Sequence, residues 1–350
     1  MLISRESVYS HIRKVDETLY WGSLPSKRQA LDLVKKYNVS LFINLYGYVG
    51  YEDYVEREGA QVVIYPIDNL CFAPIEDVDM KVLSRIQDEI NRGGRIFVHC
   101  YAGIGRSGTL VCMYLIKKGM NYETAFKKVK ALCPLWPESY IQLIAPKWYE
   151  RLLRRIGLNI VKVCFKEGSK FSFGGSLGHA SSVANIALDL FDTLVKANLI
   201  KASGWEWKVI YVTGILHDIG RYDAEDSIHH MRSVELIENM SSLRTLLKGR
   251  ELEVVKLLIF SHRASVDPRL DARFKLISDS TKALLLSSCI KIADAFYDAY
   301  TVDMYSGCKM MENRLIIYAD EYLKGRIMRK ASILEDLGIS IDVNPPELMQ

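Results

Sequence analysis

The sequence predicts an α/β domain followed by an all-α domain, and three observations predict it. Across the first ~150 residues, short β-rich runs alternate with stretches of helical apolar spacing, the pattern of a central, largely parallel sheet with helices packed on it. From His179 onward nearly every segment carries helical spacing. Between the two, residues 166–178 hold four Gly and three Ser and read as a linker. The expected boundaries are 1–155 for the first domain, 156–178 for the linker, 179–310 for the second domain and 311–350 for a C-terminal helical extension. A chain of 350 residues is long enough for about two domains.

The elements follow in order. Residues 41–46, 62–65 and 95–98 are apolar and rich in β-branched and aromatic side chains, so they read as buried strands. Residues 29–37 and 78–91 show helical spacing, for example Val82, Ile86 and Ile90. After Cys100 the spacing predicts helices over 109–118, 122–132 and 141–156. The second half gives helices over 180–197, 205–216, 230–240, 251–261, 282–300 and 312–337.

Composition narrows the class. Hydrophobic residues are 49% and charged residues 25%, which excludes a wholly disordered chain, a collagen-like repeat and a small disulfide scaffold. The net charge of +4 is too small to argue for a nucleic-acid partner. No apolar run reaches the ~18 residues of a membrane span, and the N-terminus does not read as a signal peptide. Cys71, Cys100, Cys112, Cys133, Cys164, Cys289 and Cys308 are odd in number and scattered, which suits reduced thiols and a cytoplasmic location.

One cysteine stands apart. His99-Cys100-Tyr101-Ala102-Gly103-Ile104-Gly105-Arg106-Ser107 follows a predicted strand and opens a predicted helix. Backbone N–H groups of a Gly-rich loop and a helix N-terminus converge on an anion there. Arg106 adds a bidentate contact to phosphate oxygens. A thiol at a helix N-terminus beside a cation favours the thiolate, the nucleophilic form. A buried cysteine in a plain Gly-rich turn would leave Arg106 and the glycines unexplained.

The string fits His-Cys-x5-Arg-Ser and resembles the cysteine-based dual-specificity and protein tyrosine phosphatases. That resemblance implies a dual-specificity phosphatase-like fold and no cofactor at this site. It implies that Cys100 attacks phosphorus, Arg106 holds the equatorial oxygens, Ser107 helps the thiolate leave, and His99 fixes the loop. Residues 101–106, Tyr101, Ala102, Gly103, Ile104, Gly105 and Arg106, would cradle the phosphate. The family places a general acid Asp in a loop about thirty residues before the cysteine. Asp68 is the candidate in Tyr65-Pro66-Ile67-Asp68-Asn69; many relatives read Pro-x-x-Asp, which would fall on Asn69, and Asp77 and Asp79 are alternatives. Gln142 is a candidate for positioning the hydrolytic water. The cradle carries no extra Lys or Arg, which leans toward phosphoprotein, phosphotyrosine above all, over highly charged inositol phosphates; a small phosphorylated substrate stays open. Tyr46, Tyr48, Tyr51 and Tyr54 cluster ahead of the acid loop and read as packing residues or as the wall of a phosphotyrosine cleft.

The second half holds His179, His217-Asp218, His229-His230, His262 and, late in an apolar helix, Asp294. Buried carboxylates need a cation or a partner, and imidazole with carboxylate suits first-row divalent metals. The order resembles the HD phosphohydrolase superfamily, most of all the C-terminal domain of exopolyphosphatase and guanosine pentaphosphatase. That resemblance implies one or two divalent ions (Mn, Fe, Co, Ni or Mg). His179, His217, Asp218 and Asp294 would hold the first. His262 and one of His229 or His230 would hold the second, with Asp218 bridging. It also implies a nucleotide or polyphosphate ligand. The leading expectation is a phosphomonoesterase fused to an HD hydrolase. The alternatives are an HD half that senses a ligand and regulates the phosphatase, or a phosphate-binding pseudoenzyme. Neither nucleic acid nor membrane is expected as a partner.

Overall fold

The phosphate-loop strand sits at the centre of a five-stranded sheet. In the computed structural model, which describes residues 12–301 and 304–346, the chain divides into two units, Met1–Glu150 and Arg151–Gln350. The sheet of the N-terminal unit runs in the order β1 (Arg13–Lys14), β2 (Leu19–Gly22), β5 (Arg95–His99), β3 (Val39–Asn44), β4 (Gln61–Ile64). β2, β5, β3 and β4 are mutually parallel and β1 is antiparallel at the edge, so the sheet is mixed but largely parallel. The three strands expected from the sequence are present within one or two residues. β1 and β2 carried no signal, being two and four residues long.

β5 lies between β2 and β3, so both its edges are paired; its residues Ile96–His99 are buried on both faces, and Phe97 aligns with Tyr20 and Phe42. Phe42, Tyr51 and Phe97 close one core cluster with Ala30, Leu33 and Val55. The helix Lys27–Tyr37 packs there, started by a Ser26–Gln29 capping box. On leaving β5 the chain enters the loop after Cys100 and then the helix Gly105–Lys117, buried along nearly its whole length. The helices Tyr122–Leu132 and Tyr140–Arg151 follow as expected.

The C-terminal unit is helix-rich. Its long members are Leu158–Ser169, Leu177–Lys196, Trp205–Leu216, His229–Glu238, Gly249–Phe260 and Ser280–Ala293. Two expectations are corrected here. Residues 156–178 are not a linker: Ile160, Val161 and Cys164 bury one face of a helix. The Gly-rich remainder is a turn in which Gly174 (φ +76°) abuts the backbone of Asp218, closer than any Cβ could approach.

The unit is also not all-α, and residues 311–350 are not a helical extension. β6 (Tyr305–Met311), β7 (Arg314–Ala319) and β8 (Ser340–Asn344) form a three-stranded sheet in that order, with the short helices Lys324–Lys330 and Ser332–Asp336 between β7 and β8. The Leu315-Ile316-Ile317-Tyr318 run favours a strand. Glu312 adopts φ +52° in the two-residue loop joining β6 to β7, which breaks any helix there. Among the described residues no helix is long and apolar enough to cross a membrane.

Candidate functional site

Cys100 lies at the C-terminal end of β5, the end at which open parallel sheets present ligand sites. Its loop is held from outside. Cys100 O accepts from His99 Nδ1 (3.0 Å), Tyr101 O from Leu24 N (3.0 Å) and Gly103 O from Arg13 Nη1 (3.1 Å). In a trans peptide the N–H points opposite to its C=O. The amides of Tyr101, Ala102 and Ile104 therefore turn inward, which makes an anion cradle. Gly103 (φ +69°) permits the turn, and a Cβ there would overlap the backbone of Gly22.

The reacting groups sit within this frame. Cys100 Sγ, almost fully buried, is 3.3 Å from Ser107 Oγ. Trp21 Nε1 donates to the same Oγ (3.0 Å), which frees the hydroxyl proton to point at the sulfur. Tyr51 O–H donates to His99 Nε2 at 2.6 Å. Burial pushes the His99 imidazole down to about 4, so it stays neutral and keeps Nδ1–H on the Cys100 carbonyl. Gly105 N, the first amide of the helix, donates to Glu138 Oε2 at 2.8 Å.

Arg106 reaches across to the acid-loop candidate. Its Nη1 donates to Ile67 O (2.7 Å) and its Nη2 to Asn69 Oδ1 (3.4 Å). These residues bracket Asp68, which is exposed and whose carboxylate makes no hydrogen bond or ion pair among the described residues. Asp77 and Asp79 are committed elsewhere. Asp77 accepts from Tyr65 O–H (2.6 Å) and pairs with Lys81 (2.9 Å). Asp79 pairs with Lys117 (2.6 Å) and accepts from Tyr149 O–H. Gln142 is buried, and its Oε1 accepts from Glu138 N at 3.0 Å, beside Gly105.

The model of the dual specificity phosphatase catalytic domain matches residues 19–142. The chain is 33% identical over 98 residues to protein tyrosine phosphatase type IVA 2 of Mus musculus, covering 28% of this chain and 59% of that protein. It is 34% identical over 92 residues to the phosphatidylglycerophosphate phosphatase PTPMT1 of Arabidopsis thaliana, covering 24% of this chain and 26% of that protein. Putative tyrosine phosphatase 123R of Invertebrate iridescent virus 6 is 30% identical over 120 residues, which span 76% of it and 33% of this chain. Through its N-terminal unit, the chain belongs to the dual-specificity and tyrosine phosphatase family. It spans about 59% of the length of the mouse relative.

Within this phosphatase unit, the roles of Trp21, Tyr51 and Glu138 at the Cys100 loop escaped the sequence reading. No local pattern marks them, since each reaches the loop from an element distant in sequence. Of the tyrosines ahead of the acid loop, Tyr46 lies against Tyr101 (5.4 Å between rings) and 6.0 Å from the Arg106 guanidinium. Tyr51 is instead the partner of His99. Tyr48 bonds Asp53, and Tyr54 receives Lys27.

The C-terminal unit gathers a second cluster. Ligand atoms of His179, His217, Asp218 and Asp294 lie within 4.8 Å of one another, and so do those of Asp218, His229 and His262. His179 Nε2 and His217 Nε2 lie 3.3 and 3.4 Å from Asp294 Oδ1 and 3.7 and 3.5 Å from Asp218 Oδ2. Asp218 Oδ1 faces His229 Nε2 (3.1 Å) and His262 Nε2 (3.4 Å).

Each of these four rings turns Nδ1 to a backbone carbonyl: Phe296 O, Gly214 O, Asp226 O and Ile259 O, at 2.6–2.9 Å. That orientation aims every Nε2 lone pair at the centre, the arrangement of metal-binding histidines. His217 Nε2 and Asp218 Oδ1 are buried without a hydrogen-bond partner, and the donor set is what a divalent cation satisfies. Burial alone would raise the Asp218 carboxyl, but His217, His229 and His262 hold it well below the ordinary carboxylate range.

His230 is corrected: it belongs to neither group. Successive helical residues point about 100° apart, so with His229 inward the His230 ring packs 5.5 Å from Phe260. Burial and the neighbouring His262 and Arg263 push it down to about 4.

Proposed function

We propose that the N-terminal unit hydrolyses phosphomonoesters through a phosphocysteine, with phosphotyrosine and phosphoserine of proteins as foremost substrates, and that the C-terminal unit is a divalent-metal phosphohydrolase of the HD type. The observation that carries the first part is Cys100 Sγ at 3.3 Å from Ser107 Oγ, in a loop whose outer carbonyls are tied and whose amides turn inward. Cys100 Sγ attacks phosphorus while the P–O bond to the leaving group breaks. Asp68 gives that oxygen its proton, and Arg106 leaves the Ile67 carbonyl to hold the equatorial oxygens. A water, placed by Gln142, then attacks phosphorus and passes a proton to Asp68. The S–P bond breaks, orthophosphate leaves, and the Ser107 hydroxyl steadies the departing thiolate. The neutral cradle and the aromatic pair Tyr46–Tyr101 favour an aryl phosphate, in keeping with the names of the tyrosine phosphatase relatives.

In the C-terminal unit, His179, His217, Asp218 and Asp294 would hold one ion, and Asp218, His229 and His262 a second. When bound, divalent ions supply Lewis-acid polarisation of a phosphoryl group and an activated water. The protein orients the imidazoles through their Nδ1 bonds and splits the two oxygens of Asp218 between the positions.

The test is metal content plus a phosphosubstrate panel on wild type, Cys100→Ser and Asp218→Ala. Cys100→Ser should lose aryl phosphate hydrolysis and keep its metal. Asp218→Ala should lose metal and keep chelator-resistant aryl phosphate hydrolysis. Full activity of Cys100→Ser in chelator would overturn the first part. A Cys100→Ser chain that binds Mn²⁺ yet turns over no phosphosubstrate would assign the second half to ligand sensing.

A further inference from the structure

The metal-ligand helices do not supply every cation in the C-terminal cleft. That cleft, about 780 Å³, is lined by Arg221, Arg263, Arg326 and Lys330 as well as by ligand side chains. Arg221 and Arg263 are engaged with Asp226, and Arg221 also with Asp218. Arg326 and Lys330 come from Lys324–Lys330, a helix beyond the stretch whose His and Asp order suggests a metal. Residues four apart share a helix face. On this helix Ile327 is buried and anchors it, Arg326 and Lys330 line the cleft, and Arg329 is exposed.

Both cleft-lining cations reach the last metal ligand. Lys330 Nζ bonds Asp294 Oδ2, with only 12% and 10% of the two side chains exposed. Asp294 Oδ1, the other oxygen, is the one facing His179 and His217. Arg326 Nη2 reaches Asp294 O at 3.4 Å, and its guanidinium lies 4.1 Å over the Tyr297 ring. The four cations lining the cleft are matched by four aspartates lining it, Asp218, Asp226, Asp294 and Asp298. Divalent ions entering so balanced a cleft create an excess of positive charge that an anionic ligand must meet.

We propose that the helix Lys324–Lys330 is an anion-receiving part of the metal cleft. Arg326 and Lys330 bind a phosphoryl group carrying two negative charges, a phosphomonoester or terminal phosphate rather than a diester. The inference rests on the metal reading above. Lys330 serves from its place on Asp294 Oδ2, which no metal position needs, and Arg326 is kept in its orientation by Tyr297.

The test uses the full chain carrying Arg106→Met, so that the Cys100 cradle adds no phosphate binding. Bound Mn²⁺ is counted from the free-ion electron paramagnetic resonance signal. Orthophosphate affinity is read from Mn²⁺-induced ³¹P relaxation, which reports only phosphate beside the ion. Arg326→Gln and Lys330→Gln should each weaken orthophosphate roughly tenfold with Mn²⁺ stoichiometry unchanged, the cost of one charge-assisted hydrogen bond. Arg329→Gln, on the outer face, should match the parent, and dimethyl phosphate should bind the parent roughly tenfold more weakly than orthophosphate. If Mn²⁺ binds but Arg326→Gln and dimethyl phosphate both match the parent with orthophosphate, the inference fails while the metal reading stands. If the parent binds no Mn²⁺, both fall. Should Lys330→Gln lose Mn²⁺, Arg326→Gln decides.

Discussion

The Nε2 atoms of His229 and His262 lie 3.0 Å apart, and both rings direct Nδ1 at backbone carbonyls. Burial keeps His262 toward the neutral form, so its Nε2 presents a lone pair. Asp218 Oδ1 faces both nitrogens. Three electron-pair donors thus converge on one point, which is costly unless a cation occupies it. Titrating the metal-free chain with Mn²⁺ should give two equivalents. His229→Ala or His262→Ala should retain one, through His179, His217 and Asp294. Asp218→Ala should lose both, since its two oxygens serve both groups. Metal at a hundredfold its Kd should stabilise the folded chain by about 2.7 kcal/mol per site, read as a rise in Tm. Two equivalents in Asp218→Ala would contradict the bridging role.

Asp68 is the carboxylate of the acid region free to move a proton, because Asp77 and Asp79 are spent on Tyr65, Lys81, Lys117 and Tyr149. Asp68→Asn should lower kcat by about 10²–10⁴, the usual range for losing a general acid. The loss should be greatest for phosphotyrosine and least for an ester with a low-pKa leaving group, which departs unaided. Asp77→Asn and Asp79→Asn should keep kcat and lower Tm. A rate loss confined to Asp77→Asn would move the acid.

The Cys100 loop was legible in the sequence because all its chemistry lies within nine consecutive residues, and a strand before with a helix after is a local signal. The clustering of His179, His217, Asp218, His262 and Asp294, whose side chains the structure brings together, was legible through the resemblance of their order along the chain to a known superfamily. His229 against His230 was not, since composition cannot say which of two adjacent side chains turns inward. The partners of Trp21, Tyr51, Glu138, Arg326 and Lys330 were not legible for another reason: each meets its partner only through tertiary packing. The β6–β7 hairpin was misread because Leu315-Ile316-Ile317 fits a buried helix as well as a strand, and the positive φ of Glu312 decided it.

His99 should show no protonation in the range where phosphatases are assayed. Its pKa is pushed from 6.5 to about 4 by burial, and Tyr51 O–H fills its Nε2. Histidine-labelled NMR of the full chain should find His99 as the neutral Nδ1–H tautomer from pH 8 down to pH 5. The linkage sign follows. The unfolded chain takes up the proton below pH 6.5 and the folded chain does not, so stability present above 6.5 is lost as pH falls toward 4, by up to about 3 kcal/mol. Tyr51→Phe leaves a buried nitrogen unpaired and should cost about 1–3 kcal/mol. A titration midpoint for His99 above pH 6 would contradict the assignment.

The Glu138 carboxylate sits at the edge of the cradle. Its Oε2 takes the Gly105 amide at 2.8 Å, at the N-terminus of the helix Gly105–Lys117, where the dipole favours negative charge. A substrate phosphate needs that same end of the helix, so the carboxylate and the phosphate compete. Glu138→Gln keeps the shape and removes the charge. Orthophosphate or vanadate should then inhibit aryl phosphate hydrolysis more tightly, by a few-fold, the equivalent of roughly 0.3–1 kcal/mol for a charge at a helix end. KM should fall with it, while kcat changes little, because Glu138 touches no atom that carries a proton in the reaction. The same substitution should lower Tm slightly, since the free helix loses its counter-charge. If inhibition weakens instead, Glu138 helps to hold the cradle in its binding form, and the competition is excluded.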